Sequence, residues 1–569
     1  MLDKLKKILT NLLDQFLLVY FVFLLGLFIT DFSFIFKEGI SNLSVHSIIF
    51  VFLLGARWYL DKVSFNNSLL IKLLKSIAKL DDKRLLFLIF IFLIFILFSI
   101  GLFRHLAFSS AGCDMGVTDQ SIWNTTQGRI LFSSLDGKIN HLGAHFEPVL
   151  LLIVPFYFIW PNILVLVILQ ALAIGTAVIP LYLIAKNRLK SRALIFAFIF
   201  AYFLSRPLRG VGLLDFHTDT FLIPLSFISY YLLLTRRHLW AVIAMLLMLG
   251  CKENATILVF AYGIFTITYL KRYRLGVSLL ALAITWWLLV TDLIMPHFAY
   301  TADYPYLKWL PFGPTYSENI SAVIRNPGLL ANLFFSQGKA EFYTKLFAPL
   351  GMLSLISPAH YVLFLLPLIF QVIGSVNHAG MVDITAHYPA HTLPFIFISA
   401  IFGAGSLIDF LKNKGFIKKF GAGKISNFLA ALIILLSLGF FGKSDGHKLA
   451  KFIYSANSLN SGEIRQALKK IPPDASVCAV HRIVPHLTHR KYIYIWENSQ
   501  DTRYLVEYIV LHRRLIERDK KRFDQMIIEL RERGYQEVHS DKSGDLFIFL
   551  NPGYEKESLE NRQSKMIPL

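Results

Sequence analysis

Acidic residues and histidines concentrate in one polar loop between two apolar segments, residues 109–146, and directly after it. Asp114 and Asp119 lie in CDMGVTDQSIWNTTQG, and His145 and Glu147 follow in HLGAHFEPVL. Carboxylates beside lipid are costly unless they are solvated, paired or used, and an aspartate of raised basicity can accept the proton of a sugar or lipid hydroxyl. The loop therefore predicts a catalytic carboxylate that acts as a base, either Asp114 or Asp119. The alternative is a solvated loop whose aspartates only cap helices.

A metal site is the second interpretation of this loop. His141 and His145 are four residues apart, a spacing that places two imidazoles on one face of a helix. Gly143 between them weakens a helix, and the sequence has no HExxH pattern. We therefore prefer hydrogen bonding by His145 and Glu147 to a substrate hydroxyl or phosphate. The sequence names no metal ligands and leaves the need for a divalent cation open.

A second polar stretch, LLDFHTDTF, places Asp215, His217 and Asp219 at the junction of two apolar segments, and SRPLRG before it adds Arg206 and Arg209. A cation and a histidine here would suit the phosphate of a lipid carrier. The alternative is that the two arginines only extend to lipid headgroups.

Two further stretches have the same position between apolar segments. GCKENATILVF carries Lys252 and Glu253, and a lysine there could stabilise a leaving group that develops negative charge. AHYPAHTLPF carries His387, Tyr388 and His391, which could line the same cavity. The alternatives are an ordinary tight turn for the first and an interfacial aromatic belt for the second.

The composition predicts that membrane helices position these residues. Of the 569 residues, 55% are hydrophobic and only 17% are charged, which is more apolar than an ordinary soluble protein. The run LLFLIFIFLIFIL at 85–97 has no charge. The sequence therefore predicts a polytopic α-helical membrane protein with about 13 spanning helices. The predicted spans are 13–36, 45–60, 85–108, 162–185, 193–211, 219–234, 238–251, 254–270, 275–296, 342–357, 359–376, 391–411 and 425–442.

The charge pattern predicts an orientation and argues against nucleic-acid binding. The net charge is +20, but the lysines and arginines lie in short loops between apolar segments, as in cytoplasmic loops of membrane proteins. If the proline-broken segment 147–160 is a re-entrant helix, four basic loops fall on the cytoplasmic side together with the N-terminus. The loops with the polar motifs then face the periplasm or exterior. We predict a multi-pass protein of the cytoplasmic (inner) membrane.

The end of the chain has a different pattern. Residues 1–444 form the predicted membrane domain, whereas 445–569 alternate helix-like and strand-like segments such as ASVCAV, KYIYIWE and RFDQMIIELRERG. The sequence therefore predicts a small α/β domain on the periplasmic or extracellular side.

The motifs together resemble a family of predicted prokaryotic membrane proteins, domain of unknown function 2079. Its pattern runs D-x-G-x-x-D-Q-x-x-W-N, H-F-x-P, D-F-H, a K-E-D-like stretch and H-Y, over about residues 105 to 550 here. Asn254 stands where an acid is common, which argues against catalysis at that position. The matching stretches are 114–124, 145–148, 215–217, 252–254 and 387–388.

That family in turn is similar in motif order and architecture to the GT-C glycosyltransferases, which take sugars from polyprenyl-phosphate donors at the outer face. The resemblance implies a GT-C-like fold in which Asp114 is the catalytic acid and HFEPVL opens a proline-containing helix. It also implies a polyprenyl-phosphate-linked sugar as donor and an envelope glycan, lipid or protein as acceptor. Lys252, His217 and Arg209 would steady the departing phosphate, while His145 and Glu147 would position substrates.

A lipid-linked sugar or small-solute transporter is the alternative function. Broken helices and polar residues within a membrane also mark transport paths. The sequence shows no internal repeat of the span pattern, and its polar groups gather at one face. An enzyme predicts a cavity that opens on one side, and a transporter predicts access from both.

Overall fold

The structure, a computed structural model, describes residues 13–15, 17, 53, 72, 76, 79–136, 140–299, 306–414, 421–441, 446–499, 503–518 and 520–555. The predicted spans 13–36 and 45–60 lie outside the described residues, apart from isolated positions. Up to residue 441, the α-helices are Asp82–Leu106, Val117–Thr126, Val154–Ile159, Leu164–Thr176, Val178–Arg188, Arg192–Leu204, Arg206–Leu213, Asp219–Leu234, His238–Leu249, Thr256–Thr268, Tyr273–Leu288, Met295–Phe298, Tyr316–Arg325, Gly328–Phe334, Lys339–Phe347, Tyr361–Gly374, Leu393–Asn413 and Ala422–Phe440.

Among the described residues, five helical segments are long and apolar enough to cross a membrane. A sixth is a pair bent by 45°, Arg192–Leu204 with Arg206–Leu213. The predicted total of about 13 spans is therefore not confirmed, because several apolar helices of the described chain have 10–17 residues and are short for a crossing. The five long segments are Asp82–Leu106, Leu164–Arg188, Tyr273–Phe298, Leu393–Asn413 and Ala422–Phe440.

The predicted span 342–357 is wrong as a single helix. The helix Lys339–Phe347 ends before Pro349, and only short 3-10 turns follow. Gly351 and Met352 both have positive φ, 64° and 56°, and two such residues in succession cannot continue a right-handed helix. Apolar content predicted burial here but did not predict the break.

Ion pairs join the helix ends near the basic loops. Arg192 Nε lies 2.7 Å from Asp82 Oδ1, and Arg188 Nη2 lies 2.6 Å from Asp409 Oδ2. Because these helix ends adjoin the basic loops, they are called the basic end below. The opposite ends of these helices, called the motif end below, carry the loops with Asp114, His145, His217, Lys252 and His387. Alternating helix direction thus collects the polar motifs at one end of the bundle.

The C-terminal region forms a small domain around a five-stranded sheet. Strands β1 (Val477–Ala479) and β2 (Ile493–Ile495) pair in parallel, as do β1 and β3 (Tyr508–His512). Strands β4 (Gln536–Ser540) and β5 (Leu546–Leu550) form an antiparallel hairpin whose β5 pairs with β3, giving the order β2-β1-β3-β5-β4. The domain's helices are Gly446–Ser458, Ser461–Leu468 and Phe523–Glu532.

Candidate active site

A cavity of about 330 Å³ opens at the motif end. Its walls come from the turn at Gly112–Gly116, the loop before Pro148, and the breaks that follow the helices Arg206–Leu213 and His238–Leu249. The fold therefore brings together motifs that are far apart in sequence. Eight of the predicted site residues line this cavity: Asp114, His145, Glu147, His217, Lys252, Glu253, His387 and Tyr388.

Asp114 is the accessible carboxylate among these residues. It lies in the π-helical turn Gly112–Gly116, and 41% of its side-chain surface is exposed. His217 Nε2 lies 3.8 Å from Asp114 Oδ1, and His217 Nδ1 lies 2.8 Å from the carbonyl oxygen of Asp215. Because Nδ1–H donates to that carbonyl, Nε2 is the ring atom that faces Asp114. His387 stacks on His217 with ring centroids 4.1 Å apart, which fixes the orientation of the imidazole.

Lys252 forms the buried cationic part of the cavity. Its Nζ lies 3.0 Å from Asp219 Oδ2 and 3.9 Å from Glu147 Oε1, and all three side chains are at most 7% exposed. Burial alone would lower the pKa of Lys252, but the two carboxylates raise it above its ordinary value. Lys252 therefore stays charged, and two acids already share its charge.

His141 links two acids, Asp136 and Glu147. Its Nδ1 lies 2.7 Å from Asp136 Oδ2, and its Nε2 lies 3.4 Å from Glu147 Oε2. Although burial by itself lowers the pKa of His141, Asp136 and Glu147 raise it to about 10. Burial raises the pKa of Glu147, but the hydrogen bond from His141 and the charge of Lys252 together lower it to about 2. Asp136, His141, Glu147 and Lys252 thus form one ionised chain.

His145 and Glu253 form the third contact of the cavity wall. His145 Nδ1 lies 3.2 Å from Glu253 Oε1, and the backbone N–H of Phe146 donates to Glu253 Oε2 at 3.1 Å. The hydroxyl of Tyr306 lies 2.7 Å from His145 Nε2, and the two rings are stacked. Glu253 therefore fixes the loop before Pro148 as well as lining the cavity.

Three predicted binding residues lie outside the cavity. Arg209 donates to the carbonyl of Phe441 at 2.6 Å and stacks over its ring, which attaches the bent helix pair to the end of Ala422–Phe440. Asp215 pairs with Arg104 at 3.1 Å and accepts the N–H of Ala111 at 2.7 Å. His391 lies behind the cavity, with Nε2 2.9 Å from Asn254 Oδ1 and 3.5 Å from Asp219 Oδ1.

Asp119 has a different environment from Asp114. Its side chain is fully buried between the membrane region and the C-terminal domain. It accepts hydrogen bonds from the hydroxyls of Thr488 and, at 2.6 Å, Tyr157, and it pairs with His489 Nε2 at 3.2 Å. Asp119 therefore holds the C-terminal domain on the motif end and has no contact with the cavity.

Gln120, the next residue of the motif, extends the same interface. Its Nε2 donates to the carbonyls of Arg490 and Lys491, each at 3.1 Å, and its Oε1 accepts the N–H of Ser134 at 3.0 Å. The hydroxyl of Ser134 donates to the carbonyl of Ile493 and accepts its N–H. The second half of the motif thus pairs with the strand β2 and the loop before it.

The first half of the motif meets the domain more closely. A Cβ added at Gly112 or Gly116 would lie 3.1 or 3.3 Å from the side chain of Val484, tighter than an ordinary packing contact. The N–H of Cys113 donates to His481 Nε2 at 3.2 Å. The domain therefore contacts the residue next to Asp114 at the mouth of the cavity.

We expect the attachment of the C-terminal domain to depend on pH through Asp119 and His489. Burial lowers the pKa of His489, but Asp119 raises it above its ordinary value of 6.5. Burial raises the pKa of Asp119, but His489, Thr488 and Tyr157 lower it below 3.8. The contribution of His489 to the stability of the attached domain is complete below pH 6.5 and is lost as pH rises through the pKa of His489 in the folded protein. That of Asp119 is present above pH 3.8 and is lost as pH falls.

Hydrogen exchange of the segment 484–495 in the full chain would measure this dependence. Protection should be greatest between these two pH values and weaken above pH 6.5. His489→Gln should abolish the loss of protection above pH 6.5. His539 lies on the exposed strand β4 of the same domain, and His539→Gln should leave that loss of protection unchanged. An unchanged pH profile in the His489→Gln variant would mean that this pair does not control attachment.

Asp136, Asp219 and Tyr306 complete the cavity and its support, and none of them is among the site residues predicted from the sequence. The sequence contains a signal for a role of Asp219, since this residue follows Asp215 and His217 at the start of an apolar helix. Asp136 and Tyr306 lie in long loops without a recognisable pattern. For a divalent cation, the described residues contain no group of three or more His, Cys, Asp or Glu side chains arranged to hold a metal ion.

The solved structures to which this chain is similar include two crystal structures of ArnT from Cupriavidus metallidurans. The structure in the apo state is 11% identical and has a TM-score of 0.43, covering 77% of this chain and 93% of that chain. The structure bound to undecaprenyl phosphate is 11% identical and has a TM-score of 0.46, covering 82% of this chain and 98% of that chain.

Comparison with curated proteins finds no match. The profile of the family described as "Predicted membrane protein (DUF2079)" matches residues 104–544. This range includes the motif that carries Asp114, the cavity-lining loops and four of the five strands of the C-terminal sheet. The chain belongs to the DUF2079 family of predicted membrane proteins.

Proposed function

We propose that the chain is a membrane glycosyltransferase that moves a sugar from a polyprenyl-phosphate donor to an acceptor outside the cytoplasmic membrane. The observation that carries the proposal is that one cavity is lined both by the accessible carboxylate of Asp114 and by the buried ammonium of Lys252, which are not paired with each other. A base for the acceptor and a cation for the leaving phosphate are the two groups that this reaction needs most.

Asp114 is the proposed base. It accepts the proton of the acceptor hydroxyl as the oxygen attacks the anomeric carbon of the donor sugar. The bond from that carbon to the phosphate oxygen breaks, and the electron pair leaves with the polyprenyl phosphate. A single base and direct attack invert the configuration of the anomeric carbon. Because phosphate is a good leaving group, orientation of the two substrates supplies much of the rate.

Lys252 and the stacked histidines are the proposed phosphate contacts. Asp219 and Glu147 hold Lys252 in place and share its charge, so the lysine fixes a direction for the phosphate and does not act as an isolated cation. Burial is the main reason that the pKa of His387 lies well below its usual value. A neutral His387 can donate a hydrogen bond to phosphate without adding charge.

The position of the cavity supports an enzyme over a transporter. Its lining residues come from the motif end, and within the described chain none comes from the basic loops at 186–192, 236–237, 271–274 or 412–414. An orientation with the basic end and N-terminus in the cytoplasm places the cavity and the C-terminal domain on the outer side. His481 of that domain lies beside Cys113 at the cavity mouth, so the domain is the proposed contact surface for the acceptor.

Sugar release from a panel of radiolabelled polyprenyl-phosphate sugars tests the proposal. The full-length protein is placed in liposomes, with protein-free liposomes as the control. We expect release or transfer of label from at least one donor. Movement of intact labelled donor between leaflets, with no bond cleavage for any donor, would establish the transporter instead.

A further inference from the structure

A second, larger cleft lies between the membrane region and the C-terminal domain, apart from the candidate active site. Its volume is about 610 Å³, and none of its lining residues lines the active-site cavity. It is called the basic cleft below. Five basic side chains and one acidic side chain line it: Arg104, Lys451, Arg482, Arg514, Lys520 and Glu517.

Local partners neutralise two of these cations. Arg104 pairs with Asp215 at 3.1 Å, and Arg482 pairs with Glu517 at 2.6 Å. Arg514 is 46% exposed, and its nearest carboxylate, on Asp545, is 3.9 Å away. Lys451 and Lys520 are exposed and make no ion pair within 4.0 Å with any residue that the structure describes. The cleft therefore presents three cations that an anionic ligand could reach.

The cleft also has an apolar wall. Leu214 and Phe452 line it beside the cations, and both are half-buried, so part of each side chain stays accessible. A soluble anion would need only the charged part, whereas an amphiphile would occupy both surfaces. The chemistry of the wall favours a ligand with a charged head and an apolar body.

The cleft lies at the end of a helix long enough to cross a membrane, where lipid headgroups are expected. Arg104 lies in the last turn of Asp82–Leu106, a helix long enough to cross the membrane. Lys451 and Phe452 lie on the helix Gly446–Ser458, which comes soon after the membrane-length helix Ala422–Phe440. On the same helix Ile453 and Tyr454 are 39% and 59% exposed, as expected where a helix lies along a membrane surface.

We propose that the basic cleft binds the phosphate headgroup of an anionic phospholipid, with the lipid chain continuing along its apolar wall. Lys451, Arg514 and Lys520 contact the headgroup. A bound lipid at this position would fill the gap between the C-terminal domain and the membrane helices. The proposal does not depend on the reaction at Asp114, since the two sites share no lining residue.

Titration of the detergent-solubilised full chain with fluorescent phosphatidylglycerol tests this, with phosphatidylcholine as the neutral comparison. Each basic residue near a phosphate contributes about a fivefold factor in affinity. The variant with Lys451→Gln, Arg514→Gln and Lys520→Gln should therefore lose affinity for phosphatidylglycerol on the order of a hundredfold. Lys520→Gln alone, at an exposed site, should lose about fivefold and keep the fold.

Lys542→Gln is the matched control, because Lys542 is exposed in the β4–β5 turn outside the cleft. It should bind phosphatidylglycerol like the wild type. Equal affinity for the two lipids, or no loss in the variants at the cleft, would overturn the proposal. Binding of soluble glycerol 3-phosphate as tight as that of the lipid would also overturn it, by assigning a soluble phosphate ligand.

Discussion

Asp114→Asn should lower kcat for sugar transfer by about 10²- to 10⁴-fold, the usual contribution of a positioned general base. The amide keeps the size of the carboxylate but cannot accept the proton of the acceptor hydroxyl. Asp114 is 41% exposed and His217, whose Nε2 lies 3.8 Å from Asp114 Oδ1, is itself 17% exposed, so the substitution leaves no buried charge unpaired. The KM for the donor should change little, since Lys252 and His387 remain.

Asp119→Asn is the informative comparison for this measurement. Asp119 belongs to the same motif, but it is buried against Thr488 and His489 and does not line the cavity. Its loss should weaken attachment of the C-terminal domain and reduce thermal stability, with activity falling in proportion to the folded fraction. If Asp114→Asn kept full kcat while Asp119→Asn lost it in the folded protein, the base would be Asp119 and the structural distinction would be wrong.

These two aspartates show what a sequence can and cannot predict for a site. Both lie in one polar loop, five residues apart, and both fit a helix-cap or a catalytic role. What separates them is a contact with His489, which lies about 370 positions later in the chain. No local pattern contains that information, because a long-range pairing depends on how the two domains dock.

Cavity formation was more predictable than individual roles. Lys252, His217 and His387 each interrupt apolar segments, and alternating helix direction collects such interruptions at the same end. Arg209 follows the same pattern, yet its side chain turns to the carbonyl of Phe441. The pattern locates a residue at the end of the bundle but does not determine which way its side chain points.

For the fold too, some features could be predicted from the sequence and others could not. Apolar composition predicted the membrane class, and alternating strand patterns predicted the small C-terminal sheet, which the structure contains. Helix continuity was less predictable. Segment 342–357 is apolar throughout much of its length, but positive φ at Gly351 and Met352 breaks it. Such breaks depend on packing against other helices, as the close approach of Leu353 to Gly403 illustrates.

Lys252→Met should lower the free energy of unfolding by about 3–5 kcal/mol, because it removes one partner of a buried ion pair and leaves the other charged. Asp219, 1% exposed, would lose the ammonium 3.0 Å away. His141 still compensates Glu147, whereas His391 lies 3.5 Å from Asp219 and, with its pKa lowered chiefly by burial, supplies little charge. Thermal and denaturant unfolding in detergent would measure the loss.

Arg188→Met is the control for this loss, since the Arg188–Asp409 pair at the basic end is 27% and 60% exposed and such pairs contribute about 0–1 kcal/mol. The decisive variant combines Lys252→Met with Asp219→Asn. Removing both charges should recover part of the stability that Lys252→Met loses alone, because Asp219 no longer needs a partner. Strictly additive losses would show that the two groups are not coupled. Partial recovery of stability without recovery of transfer would separate the structural role of Lys252 from its proposed contact with the donor phosphate.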